Sequence, residues 1–108
     1  MKQGTLSLNI ETFDLNELFE LLGKGRRAFE MKNQKLEIEP TTVMVKADRA
    51  LTLFMINTLA ENARKYTPEG GTIKVYARTT DAYVEISVED NGGGFPKKMW
   101  LVSSVRSI

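Results

Sequence analysis

Residues 62–71, which read NARKYTPEGG, decide how this chain is organised. Apolar residues recur at helical spacing up to this stretch from Asp48, which can cap the start of a helix. The pattern ends at about Tyr66, because Thr67, Pro68 and two glycines form a combination typical of a turn. The sequence therefore predicts a helix from Asp48 to about Tyr66 that ends in a tight turn.

Two runs of alternating apolar and polar residues follow the turn, over residues 72–78 and 83–89. Only a short break at residues 79–82 separates them, so the pattern predicts an antiparallel hairpin. The second run is closed by residues 90–94, which read DNGGG. A helix therefore leads into a hairpin that ends in a glycine-rich turn.

Shorter elements are predicted upstream of Asp48. Alternation over residues 6–10 predicts a strand, and Asp14 can cap a helix that runs to about Lys32 with a bend at its glycines. Residues 36–39 and 43–45 predict two short strands.

At the other end of the chain, the apolar spacing over residues 95–108 predicts a final helix. The order of elements favours an α/β (α+β) fold, a two-layer sandwich with a mixed sheet on one side and helices on the other.

Composition excludes several classes of function. The 108 residues suit one domain, and a net charge of +1 gives no reason to expect binding to nucleic acid or a membrane surface. The chain has no Cys and no His, which excludes disulfides, thiolate chemistry and a Ser-His-Asp triad. No stretch approaches a membrane span or a signal peptide, so we expect a cytoplasmic protein or a cytoplasmic piece of a larger one.

The predicted helix carries a polar face near its end. Thr58, Asn62 and Lys65 are spaced i, i+4, i+7 and share that face. An amide oxygen is a suitable ligand for Mg²⁺, and an ammonium group suits phosphate oxygens. The alternative is a solvated face stabilised by an ion pair between Glu61 and Lys65.

Asp90 lies on the same side of its strand as Val84, Ile86 and Val88. A carboxylate directed towards a core needs a donor, and the exocyclic amino group of a purine would be one. The glycines after it would let the backbone approach a flat ring or a phosphate. The alternative is an ordinary Asn-Gly turn that closes a hairpin.

Together these motifs resemble the ATP-binding domain of sensor histidine kinases, within the larger ATPase family that includes gyrase, Hsp90 and MutL. Residues 62–71 are similar to the asparagine box of that family, and residues 90–94 to its first glycine box. The likeness covers residues 6–96 of one partial domain. It implies a Bergerat-type fold that binds ATP and Mg²⁺ and serves phosphoryl transfer from ATP to a histidine.

The resemblance assigns roles to three residues of the first motif. Asn62 would coordinate the Mg²⁺ that bridges the ATP phosphates. Lys65 would contact phosphate, and Tyr66 would line the pocket.

Four further residues would surround the nucleoside. Asp90 would accept a hydrogen bond from the adenine amino group, and Gly92 and Gly94 would give the adenine and ribose room. Phe95 would lie at the pocket edge. Partners implied by the family are a phosphoacceptor histidine domain and a response regulator.

The chain departs from the family pattern in two places. Thr58 stands four residues before Asn62, where the family has Asn or Glu. This disfavours the gyrase and Hsp90 branch, which relies on a glutamate there. Residues 97–108 hold no glycine, so no second glycine-rich box and no ATP lid is recognisable.

We therefore expect a fold that is incomplete at the C-terminus, with residues 97–108 as a divergent tail and weak or absent ATP affinity. An expression fragment, a truncated gene product and an altered tail all fit. The alternative function is a nucleotide-free interaction module, or a homodimer formed through the tail or an open sheet.

Overall fold

A computed structural model describes residues 9–80, 82–91 and 97–103. These residues form six strands and three helices. In chain order they are β1 (Ile10–Asp14), α1 (Leu15–Gly23), α2 (Arg26–Glu30), β2 (Lys35–Ile38), β3 (Met44–Asp48), α3 (Arg49–Tyr66), β4 (Thr72–Thr79), β5 (Tyr83–Asp90) and β6 (Lys97–Ser103).

All six strands belong to one mixed sheet in the order β1-β3-β6-β5-β4-β2. β2 runs parallel to β4, and every other pair is antiparallel. The predicted hairpin is confirmed: β4 and β5 pair from Ile73 opposite Asp90 to Thr79 opposite Val84.

The helices lie against one face of this sheet. One hydrophobic core joins buried residues of the helices to the inward residues of the strands. Its members include Leu15, Leu18, Phe19, Phe29, Val45, Ile56, Ile73, Val75, Val84, Ile86 and Val88. The two-layer sandwich predicted from the order of elements is therefore confirmed.

The final helix predicted over residues 95–108 is wrong where the structure describes it. Residues Lys97–Ser103 form β6, which lies between β5 and β3 and is antiparallel to both. A short apolar run such as residues 99–102 fits either a helix or a strand, and pairing with two neighbours selects the strand. Residues 97–103 of the divergent tail thus form an interior strand, and the homodimer through the tail stays a prediction.

The first strand begins later than predicted. It starts at Ile10, whose side chain is exposed, and Phe13 is the residue that enters the core. β1 starts at Ile10 because its partner strand β3 ends at Asp48, the residue opposite Ile10. After Asp48 the chain enters α3 and offers β1 no further partner there. The leucines at positions 6 and 8 lie outside the described residues.

Two helices replace the single helix predicted up to about Lys32. The predicted bend at the glycines is confirmed, because α1 ends at Gly23 and α2 starts after Gly25. Asp14 caps α1 as predicted, since its side chain accepts a hydrogen bond from the backbone N–H of Asn16. Among the described residues, no helix has the length and apolar character needed to cross a membrane.

Candidate functional site

The last turns of α3 present the polar residues of the first motif. Buried Ala60 and Ala63 let this part of the helix lie close to the sheet, while Asn62 is half-buried at its margin. Lys65 is exposed, and the Tyr66 side chain is 80% exposed. Asn62, Lys65 and Tyr66 therefore remain accessible to a ligand.

Neighbouring side chains on α3 are already paired. Glu61 forms an ion pair with Arg64 at 2.7 Å instead of the predicted pair with Lys65. This contact lowers the pKa of Glu61 and raises that of Arg64. The Thr58 hydroxyl donates to the carbonyl of Phe54 at 2.9 Å. Within the described residues, Lys65 has no ion pair and is the cation of this turn left for an anionic ligand.

The turn after α3 meets the end of β5. The Asn91 side chain accepts a hydrogen bond from Thr72 N at 2.9 Å, and Asn91 N donates to Thr72 O at 3.1 Å. At Gly71 a Cβ would lie 2.4 Å from Thr67 Cγ2 and 3.0 Å from Asn91 Oδ1, so any other residue would require these side chains to shift. The two motifs are separated in sequence. The structure brings them together where β4 begins and β5 ends, at the same end of these paired strands.

Asp90 is the last residue of β5 and lies opposite Ile73 of β4. It is half-buried and follows the alternation of the buried Val84, Ile86 and Val88. A carboxylate at this point can accept a hydrogen bond from a group that enters beside the core. The other residues assigned to the nucleoside side, Gly92, Gly94 and Phe95, lie outside the described residues.

Sequence reasoning missed a set of residues that contacts the first motif from a distant segment. Lys32 Nζ donates to the carbonyls of Arg64 and Lys65 at 2.9 and 3.2 Å. Gln34 Nε2 donates to the carbonyls of Arg64 and Thr67 at 2.9 and 2.8 Å. These contacts span about thirty positions of sequence, so no local pattern predicts them. Asn33 could have indicated a turn here, because Asn favours the left-handed region and its φ is 56°, but it does not indicate these contacts.

These residues fit a magnesium nucleotide by the chemistry of their donors. An amide oxygen and an ammonium group lie on α3, and a carboxylate lies at the end of β5, a strand against which α3 packs. The described residues contain no cluster of three acidic, His or Cys side chains that could hold a metal ion alone. A magnesium ion would therefore need phosphate oxygens beside the Asn62 amide.

Comparison with known families gives a match over residues 47–102, just over half of the chain, to the model described as "Histidine kinase-, DNA gyrase B-, and HSP90-like ATPase". Among curated proteins, the chain is 41% identical over 81 residues to the adaptive-response sensory kinase SasA of Trichormus variabilis. That alignment covers 71% of this chain and 20% of SasA. The chain therefore spans about a fifth of the length of this relative.

Solved structures of histidine kinases have the same fold. The Acinetobacter baumannii histidine kinase AdeS gives a TM-score of 0.74 at 25% identity, covering 83% of this chain and 46% of that one. The catalytic domain of the histidine kinase ThkA gives a TM-score of 0.73 at 26% identity, covering 83% and 64%. ThkA has also been solved in complex with its response regulator TrrA.

Proposed function

Because the chain belongs to the family of histidine kinase-, DNA gyrase B- and HSP90-like ATPases, we propose that it is the ATP-binding domain of a sensor histidine kinase. Its nucleotide site lies where the end of α3 meets the end of β5. One observation carries this proposal: Gly71 and Asn91 join the asparagine-box turn to the strand that ends in Asp90.

The residues of the site divide between the two ends of the nucleotide. Asp90 accepts a hydrogen bond from the adenine amino group, and Gly92, Gly94 and Phe95 complete the nucleoside side. Asn62 is the protein ligand of the magnesium ion, Lys65 binds phosphate, and Tyr66 lines the pocket. Accessibility of Asn62, Lys65 and Tyr66 supports this division.

Bound Mg·ATP would supply the phosphoryl group that is transferred to a histidine. The chain contains no histidine, so the acceptor belongs to another segment or another chain. We therefore propose a phosphoacceptor histidine domain as the first partner. A response regulator is the second, supported by the complex of ThkA with TrrA. A domain that uses ATP in this way is expected in the cytoplasm.

Titration calorimetry with Mg·ADP tests the site. The sequence leaves weak and absent affinity open, and the proposed site requires the first: we expect a weak but measurable dissociation constant, micromolar to millimolar, since residues 96–108 include no glycine-rich phosphate loop. Asp90→Asn replaces the charged carboxylate with a neutral amide, whose oxygen is a weaker acceptor and whose NH₂ cannot accept at all. It should reduce Mg·ADP affinity at least tenfold. Asn62→Ala should weaken Mg·ADP but not adenosine.

A matched control is Glu89→Gln, which neutralises the neighbouring carboxylate on the opposite side of β5. Glu89 accepts a hydrogen bond from the Tyr76 hydroxyl at 2.8 Å, away from the proposed site. Its substitution should leave Mg·ADP affinity within twofold. Equal losses in the Asp90 and Glu89 variants, or undetectable binding by the unmodified chain, would refute the proposed nucleotide site.

A further inference from the structure

Three consecutive side chains after α2 contact the end of α3 and the turn that follows it. We call the side chains of Lys32, Asn33 and Gln34 the polar clasp. Lys32 and Gln34 bind three carbonyls between Arg64 and Thr67, as described above. Asn33 Nδ2 donates to Glu69 Oε2 at 2.9 Å. The clasp therefore contacts both the helix end and the turn of the first motif.

The clasp supplies donors that α3 lacks. The last carbonyls of a helix have no partners within it, and many helices satisfy them with a left-handed glycine cap. α3 instead ends at Thr67 in an extended conformation, with φ −89° and ψ 133°. The carbonyls of Arg64 and Lys65 thus receive their hydrogen bonds from Lys32 and Gln34. The ammonium group of Lys32 also lies at the negative end of the helix dipole.

Burial of Gln34 shows what its amide is used for. The residue is 3% exposed, and its Oε1 has no hydrogen-bond partner in the described part of the chain. An unpaired buried acceptor is unfavourable. An apolar residue would avoid this cost, but it could not donate to Arg64 O and Thr67 O.

The backbone of the same segment extends these contacts. Asn33 has a φ of 56°, which turns the chain so that Lys32 and Gln34 can both reach the end of α3. Lys35 N then donates to Gly71 O at 2.9 Å, where β2 starts to pair with β4. The segment thus lies along the whole stretch from Arg64 to Gly71.

We propose that the polar clasp positions the phosphate side of the nucleotide site, with Lys32 and Gln34 as positioning residues. This inference rests on the proposed function. The backbone from Arg64 to Thr67 carries the side chains of Lys65 and Tyr66, and Asn62 lies one turn earlier. Loss of the clasp lets this helix end move while β5, with Asp90, keeps its partners in the sheet.

Hydrogen exchange without nucleotide tests the positioning directly. Lys32→Met and Gln34→Met keep side-chain length but remove the donors. We expect the amides of Thr67 and Gly71, which donate to Ala63 O and Pro68 O, to exchange at least tenfold faster. The amide of Ile86 within the sheet should change much less. Unchanged protection at Thr67 and Gly71 would overturn the proposal.

Binding measurements well below each melting temperature give a second readout. Both variants should bind Mg·ADP about fivefold more weakly while adenosine affinity changes less than twofold. Lys32→Arg should restore Mg·ADP affinity, because its guanidinium can donate to the same carbonyls. Lys35→Met is the charge-matched control and should bind normally, since that ammonium group pairs with Glu37 at 3.1 Å.

The outcomes separate the two proposals. An equal loss of Mg·ADP and adenosine affinity would mean general destabilisation and would overturn the positioning role. So would unchanged Mg·ADP affinity in both variants. If the unmodified chain binds no Mg·ADP, the proposed function fails and the nucleotide role of the clasp fails with it. Hydrogen exchange then still shows whether the clasp orders the helix end. If Gln34→Met does not fold, Lys32→Met decides alone.

Discussion

The two ends of α3 are stabilised in different ways. At the N-terminal end, Asp48 caps the helix by accepting a hydrogen bond from Leu51 N at 2.9 Å, and Thr52 donates to the Asp48 carbonyl at 2.7 Å. At the C-terminal end, the backbone N–H of Thr67 donates to Ala63 O, and the last carbonyls accept hydrogen bonds from the side chains of Lys32 and Gln34. The end that carries the candidate site is thus the end whose geometry depends on a distant segment.

The surfaces of the two ends also differ. The first half of α3 exposes Leu51, Phe54 and Met55, whereas the second half exposes polar groups. On the buried side of α3, Ile56 packs into the core in the first half, and the smaller Ala60 and Ala63 pack into it in the second half. Substitutions in the first half should therefore change stability alone, and those in the second half should change binding as well.

Ile56→Ala should have the largest effect on stability. Ile56 is fully buried, so its truncation leaves a cavity and should lower the free energy of unfolding by about 3 kcal/mol. Urea denaturation measures this loss. Mg·ADP affinity of the folded protein should stay within twofold, and a larger change would show that the two ends are not independent.

Ala63→Leu should affect both properties. Ala63 is 4% exposed and belongs to the hydrophobic core, so a larger side chain forces the helix end outwards at a cost of about 2 kcal/mol. We expect Mg·ADP affinity to fall at least fivefold in calorimetry. Destabilisation with intact affinity would contradict the link between helix position and binding.

Acid should weaken the N-terminal end of α3. Hydrogen bonds from the backbone N–H groups of Asn9 and Leu51 lower the pKa of Asp48. A lowered pKa means that this contribution to stability is complete above the ordinary pKa of Asp and is lost as the pH falls through the folded value. Asp48→Asn keeps a capping oxygen but cannot titrate. Its melting temperature should therefore fall less than that of the unmodified chain between pH 5 and pH 3. Equal decreases would exclude Asp48 as the titrating group.

Phe54→Gln should have the smallest effect. Phe54 is 66% exposed, so its replacement should change the free energy of unfolding by less than about 0.5 kcal/mol and leave Mg·ADP affinity unchanged. Thermal unfolding and calorimetry measure both. A loss above 1 kcal/mol would show that the exposed apolar surface of α3 is packed in solution.

Sequence reasoning succeeded where the determining interactions are local. The periodicity that ends at Tyr66, the turn at Gly70 and Gly71 and the alternation up to Asp90 each lie within one element, and the structure has each of them. The roles of the site residues stay predictions. The helix predicted at the end was wrong because residues 97–103 take their conformation from β5 and β3. The polar clasp could not be predicted, since nothing near Gln34 in sequence indicates that its partners are Arg64 O and Thr67 O.

The place of β6 in the sheet has a consequence for the order of folding. Within the described residues, β6 is the strand that joins the β1-β3 pair to the β5-β4-β2 group. Val45 of β3 pairs with Ser103, far along the chain, so this junction requires the closure of a long loop. Contacts of such separation slow folding. The two parts of the sheet can each form early around α3, but the sheet becomes continuous only when β6, the last of the described strands in chain order, enters between them.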